Sequence, residues 1–243
     1  MVGYLVDETN KVIFGFNDKC GSSHIKKMFY YLTGDKDLNN IHRGTNSIIP
    51  PKLLDNLNNY TVIMIIRNPY ERLVSGFLNK FRKNGEAFNA LGNDIIPTFD
   101  NLITYIKDNR YIDNVVRYRR DNKYISNRWF LNHFYPQTYH DPLDIISYEN
   151  LIIYDISNID YNFIEELYKQ KIPDDIKNFR GGHETYNKDK IDKDVSKLIL
   201  SEYEGYRPYT RCFYNDDIKS KVDIIFKNDF DFFRKKGFEY HIT

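Results

Sequence analysis

The run Tyr60-Thr61-Val62-Ile63-Met64-Ile65-Ile66 constrains the fold more than any other stretch of the chain. It is β-branched and apolar on both faces. A strand of that kind belongs at the centre of a parallel sheet. Parallel neighbours need crossover connections, usually helices, so the run argues for an α/β fold. A second apolar run, Val12-Ile13-Phe14-Gly15-Phe16, has the length and composition of another buried strand.

Each run leads through a polar turn into helical spacing. After the first come Asn17-Asp18-Lys19-Cys20-Gly21-Ser22-Ser23, then Ile25, Met28, Phe29 and Leu32 at helical intervals. A helix is predicted to start at Ser22 or Ser23. After Ile66 come Arg67-Asn68-Pro69, with Asn68 as a good N-cap and Pro69 suited to the first helical position. Leu73, Phe77 and Phe81 mark the buried face of that helix.

Strand, small-residue turn and helix N-terminus make a geometry that holds an anion. The first helical amides lack partners within the helix, and the dipole there is positive. Gly21 lets backbone approach a ligand, Ser22 and Ser23 add hydroxyls, and Lys19 adds a full charge. Cys20 and His24 contribute backbone to the same loop. In the second turn Arg67 lies at the carboxyl end of its strand, and Ser75 lies further into the helix. Ligands of open parallel sheets bind outside the carboxyl ends of strands. Two such sites on one edge suit a ligand carrying anions at both ends. The first loop is not a Walker A loop, because Lys19 precedes Gly21 rather than following it.

The formal net charge of +1 excludes steering by overall charge and argues against nucleic acid as a partner, so anion binding must be local. Two cysteines make no disulfide framework, and six scattered histidines without a CxxC give no metal site. The length of 243 residues suits one large domain, 1–243, with no linker or repeat. No signal peptide or membrane anchor is read, so a cytoplasmic chain is expected unless it is a trimmed ectodomain from the Golgi lumen. Oligomeric state is not read.

Further elements are expected as follows. A strand end falls at 39–43, a helix runs from Pro50 to about Leu57, and residues 83–97 form a mobile loop. Helices follow at about 98–108 and 111–119. Residues 127–137 form an irregular surface segment containing Arg128, Trp129 and His133. Leu143–Tyr148 is a third strand and Tyr161–Gln170 a short helix. Phe179–His183 form a flexible loop. One long amphipathic helix spans Asp216–Lys235, with Ile218, Val222, Ile225, Phe226 and Phe233 inward.

Several of these stretches resemble sulfotransferases that use 3′-phosphoadenosine 5′-phosphosulfate, of the carbohydrate type found in the Golgi and in bacterial and viral relatives. Lys19-Cys20-Gly21-Ser22-Ser23 resembles the 5′-phosphosulfate loop, with Asp18 in place of a proline and Ser23 in place of a threonine. Arg67-Asn68-Pro69-Tyr70-Glu71-Arg72-Leu73-Val74-Ser75 resembles the 3′-phosphate motif almost residue for residue. His133-Phe134-Tyr135-Pro136-Gln137-Thr138, Ile146–Leu151 and Asn228–Phe233 resemble three further segments, in the family's order.

The resemblance implies a P-loop-like three-layer fold, a central parallel sheet flanked by helices. It implies sulfuryl transfer from the donor to an acceptor hydroxyl, on a carbohydrate, or on a tyrosyl or small-molecule variant. No metal is expected. Lys19 and the amides through His24 would stabilise the leaving phosphate, and Arg67 and Ser75 would hold the 3′-phosphate. His133, then His42, are the candidate bases, as histidine suits proton transfer near neutral pH. Arg180 and Lys188 are candidate lid residues over the nucleotide. Glu71 and Arg72 fit a pair on the helix surface as well as a site. Two other readings stand beside this one: a P-loop-type nucleotide kinase or phosphotransferase, and an inactive nucleotide-binding relative.

Overall fold

The computed structural model describes residues 2–35, 38, 41, 56–81, 96–109, 117–120, 123–126, 133–138, 148, 150–180 and 189–243. In chain order its regular elements are β1 (Val2–Asp7), β2 (Val12–Asn17), α1 (Ser22–Leu32), β3 (Thr61–Ile66), α2 (Pro69–Lys80), α3 (Phe99–Asn109), β4 (Arg117–Arg120), β5 (Lys123–Ser126), β6 (Ile152–Asp155), α4 (Tyr161–Tyr168), α5 (Asp174–Lys177), β7 (Asp189–Ile191), β8 (Tyr206–Pro208), α6 (Asp216–Ile225) and α7 (Lys227–Lys235). The chain divides into two compact units. One comprises Met1–Arg67 with Gln137–His183, the other Asn68–Pro136 with Glu184–Thr243.

The first unit holds a sheet of order β1-β2-β3-β6. β2, β3 and β6 run parallel, and the two apolar runs predict β2 and β3. β1 pairs antiparallel with β2, from Val2 opposite Asn17 to Asp7 opposite Val12. This edge strand is absent from the sequence expectation. Its turn is set by Asp7, whose carboxylate accepts from the amides of Thr9 and Asn10. All six residues of β2 are buried. Phe14, Phe16, Ile63 and Ile65 pack with Ile25, Met28, Phe29 and Leu32 of α1, and with Ile164, Tyr168, Ile172 and Ile176 around α4 and α5. Full burial of one such side chain contributes about 1.5–3 kcal/mol.

The second unit is built on aromatic packing. Phe77 of α2 lies 5.2 Å from Phe81, 5.5 Å from Phe99 and 6.2 Å from Phe213, ring centre to ring centre. Phe81 meets Phe134 at 6.1 Å. Gly76 makes room for this, because a Cβ there would come within 2.7 Å of the Phe134 ring. Asn68 caps α2, accepting from the Tyr70 amide at 3.0 Å, and its Nδ2 donates to the His241 carbonyl at 2.8 Å. α3 meets α6 through Lys221, which reaches Asp100 and Thr104.

The predicted helices over 22–32, 69–81, 98–108 and 161–170 are present as α1, α2, α3 and α4. Others need correction. Residues 117–119 are not helical. Arg117–Arg120 pair antiparallel with Lys123–Ser126, a short hairpin. The last expected helix is two, because Phe226 is fully buried with a non-helical ψ of 17° that separates α6 from α7. Its five expected inward residues are all buried. The parallel neighbour of β3 is Ile152–Asp155, downstream of the expected third strand. Residues 133–135 and Gln137 are buried rather than on the surface, since their side chains pack and bond inward. Arg72 is 1% exposed and donates to the Tyr135 carbonyl at 2.6 Å, so it is not half of a surface pair. Leu57–Asn59 form a 3-10 turn. The expectations over 42–55, 82–95, 111–116, 127–132, 141–147 and 181–188 lie outside the described residues.

Candidate functional site

The site in the first unit is assembled at the carboxyl ends of β2 and β3. β2 ends at Asn17, and the chain turns at once: the Cys20 amide donates to the Asn17 carbonyl at 3.1 Å. Lys19 and Gly21 both take left-handed backbone, with φ of 66° and 76°. At Gly21 a side chain is disfavoured on a second count, because a Cβ would lie 2.4 Å from Cδ1 of Ile156. Gly21 is the N-cap of α1, and no side chain caps that helix. α2, α4 and α6 are capped by Asn68, Asp160 and Asn215. The amides of Ser22, Ser23 and His24 therefore have no acceptor in the helix and no side-chain cap. An anion is the complementary ligand for such a terminus.

Arg67 follows β3 directly. Its Nη1 donates to the Lys19 carbonyl at 3.3 Å, so the second loop is braced against the first. Gln137 holds the same corner. Its Nε2 donates to the Arg67 carbonyl at 2.7 Å, and its Oε1 accepts from the Arg67 amide at 3.0 Å. Oε1 also meets the Cys20 thiol at 2.9 Å, and Asn17 Nδ2 donates to the Gln137 carbonyl at 3.0 Å. Cys20 is fully buried and forms no disulfide.

His24 points into the protein, 5% exposed, with Nε2 3.0 Å from the Tyr161 hydroxyl. Burial lowers its pKa to about 4; a backbone hydrogen bond to Phe179 opposes the shift, and Arg180 reinforces it. At neutral pH His24 is uncharged, and the positive field of the loop comes from Lys19, Arg67 and the α1 terminus. Asp18 stands where the resembled motif has a proline. Burial lowers the pKa of Lys26, and the charge of Asp18 opposes that shift. Behind the helix terminus, Tyr161 donates to the Lys177 carbonyl at 3.3 Å. The Lys177 ammonium in turn lies 2.7 Å from Glu165. Hydrogen bonds from Lys171, Lys177 and the Ile172 amide hold the pKa of Glu165 down at about 2.

Lys19, Cys20, Gly21, Ser22, Ser23, His24 and Arg67 are thus brought together in one unit. Arg180 belongs to it too, exposed beyond α5 and acting electrostatically on His24 and Tyr161. Ser75, half-buried on α2, and His133, 7% exposed, belong to the second unit. His42, Lys188, Arg128 and Trp129 lie outside the described residues. Sequence reading assigns no role to Gln137, Asn17 or Tyr161. The available signal was Pro136-Gln137 in the matched segment, an amide beside a residue that fixes the backbone. Among the described residues no helix is long and apolar enough to cross a membrane.

Comparison with known proteins bears on this geometry. No solved structure matches the chain significantly. Carbohydrate sulfotransferase 10 of Danio rerio is 29% identical over 106 residues, a match covering 38% of this chain. That match spans 29% of the relative's length, less than a third of it. The model of the sulfotransferase family matches residues 2–236, the Lys19 and Arg67 loops included. The chain belongs to the sulfotransferase family.

Proposed function

We propose that the chain transfers a sulfuryl group from 3′-phosphoadenosine 5′-phosphosulfate to a hydroxyl of a carbohydrate. One observation carries the reading: Arg67 and the Lys19 loop, at the carboxyl ends of adjacent parallel strands, are joined by the bond from Arg67 Nη1 to the Lys19 carbonyl. A donor with anions at both ends matches that pair. The carbohydrate acceptor is proposed from the name of the Danio rerio relative.

In the reaction the acceptor oxygen bonds to sulfur as the bond from sulfur to the 5′-phosphate oxygen breaks. The hydroxyl proton passes to a base, and adenosine 3′,5′-bisphosphate leaves. Phosphoryl transfer is the nearest template, and there positioning and charge stabilisation carry most of the catalysis. Lys19 and the amides from Gly21 to His24 stabilise charge growing on the leaving phosphate. Arg67 forks onto the 3′-phosphate, a geometry that lysine does not reproduce. His133 is our first assignment for the base and His42 the second.

Calorimetric titration without magnesium tests the reading. Adenosine 3′,5′-bisphosphate should bind at least about tenfold tighter than AMP or ATP, the value of one well-made charged contact. Preference for ATP, or binding only with magnesium, would return the chain to the kinase reading.

A further inference from the structure

Gln137 is 1% exposed, and every polar group of its side chain is used on the two loops. Arg67 lies one residue past the last ladder pair of β3, Ile66 with Asp155. Beyond that point the Gln137 amide takes the place of a strand, giving to the Arg67 carbonyl and taking from its amide. The same Oε1 meets the Cys20 thiol, and the Gln137 carbonyl holds Asn17. Cys20 and Asn17 bracket Lys19 on either side. One residue therefore grips the backbone that carries Arg67 and both flanks of the residue that carries the first loop's charge.

The chemistry is specific to glutamine. An amide both donates and accepts; a carboxylate of the same length would face the Arg67 carbonyl with no proton to give. A shorter or apolar side chain would remove both bonds to the part-buried Arg67 amide and carbonyl.

We infer that Gln137 is a positioning residue that fixes the separation of the Lys19 loop and Arg67, so that the two ends of one donor are read together. The inference rests on the donor assignment above. It makes a distinction that general destabilisation does not. A ligand with a 5′-phosphate alone engages the first loop and is indifferent to the position of Arg67. A ligand with 3′- and 5′-phosphates needs both loops at the right distance.

The test is calorimetry of the whole chain with AMP and with adenosine 3′,5′-bisphosphate, for wild type, Gln137→Met and Gln137→Glu. Met keeps the length without hydrogen bonds; Glu keeps the acceptor without the donor, so two unlike variants guard against a failure to fold, which thermal melting reports. In both variants the bisphosphate should lose at least about tenfold more affinity than AMP does. Parallel loss of both ligands would show a merely structural role and overturn the inference. So would unchanged bisphosphate binding. Wild type that fails to prefer the bisphosphate would overturn the donor assignment, and the inference with it.

Discussion

Replacing Gly21 by alanine tests the first loop most sharply, because two separable effects act at one atom. The φ of 76° puts the residue in left-handed backbone. For a residue with a side chain that conformation costs about 1–2 kcal/mol. The added Cβ also meets Ile156 at 2.4 Å to Cδ1 and 2.8 Å to Cγ1. Both atoms belong to a side chain that can rotate, so the overpacking cost falls at the low end of its usual range, about 1–2 kcal/mol. Gly21→Ala should therefore lose about 2–4 kcal/mol, a large share of the roughly 5–15 kcal/mol typical of a folded protein. Urea unfolding at constant m-value measures it. The Ile156→Ala background separates the terms. There the steric part should vanish and about 1–2 kcal/mol should remain, from the backbone alone. Gly21→Asn, which tolerates the left-handed region, should regain most of that remainder in the same background. A loss under about 0.5 kcal/mol for Gly21→Ala would refute the reasoning, since neither term could then be real.

Three further outcomes follow from the site and its surroundings. Arg67→Ala should weaken adenosine 3′,5′-bisphosphate binding by about 2–4 kcal/mol, and Arg67→Lys should not restore it; calorimetry showing unchanged affinity would contradict the assignment. His24 sets an acid limit: its folded pKa of about 4 lies below the ordinary 6.5, so its contribution to stability is complete above pH 6.5 and is lost as pH falls toward 4. The slope over that window should reach about 1.4 kcal/mol per pH unit, and His24→Gln should flatten it in urea titrations at stepped pH. Arg72→Met removes the bond to the Tyr135 carbonyl and should cost about 1.5–3 kcal/mol; a shift of urea midpoint too small to resolve would mean the buried guanidinium contributes nothing.

What the sequence disclosed follows the range of the forces involved. β2, β3, α1 and α2 are written locally, in apolar runs, Asn68 and Pro69, and the small residues around Gly21. The turns after β2 and β3 were legible for the same reason, since each is a strand end followed at once by a helix start. β1 was missed because Val2–Asp7 becomes a strand only by pairing with β2. Arg72 read as half of a surface pair or as a site residue, because nothing in its neighbourhood announces the Tyr135 carbonyl it bonds. Gln137 is the clearest case: its partners are Arg67, Cys20 and Asn17, all distant in the chain. The break at Phe226 was hidden by a helical pattern that continues on both sides of it.

The placement of β6 sets the order in which the first unit can be completed during synthesis. β3 pairs on one side with β2, already made, and on the other with a strand that begins only at Ile152. α1 likewise waits for Ile164, Tyr168, Ile172 and Ile176 to cover its apolar side. While the ribosome makes the residues between, Ile63 and Ile65 present an unpaired ladder edge and an apolar face to their surroundings. Edges of that kind recruit other chains. High sequence separation between paired strands also slows folding. The yield of native protein should then depend on how fast translation carries the chain from β3 to α5, a sensitivity that a protein with its sheet made in one continuous stretch does not have.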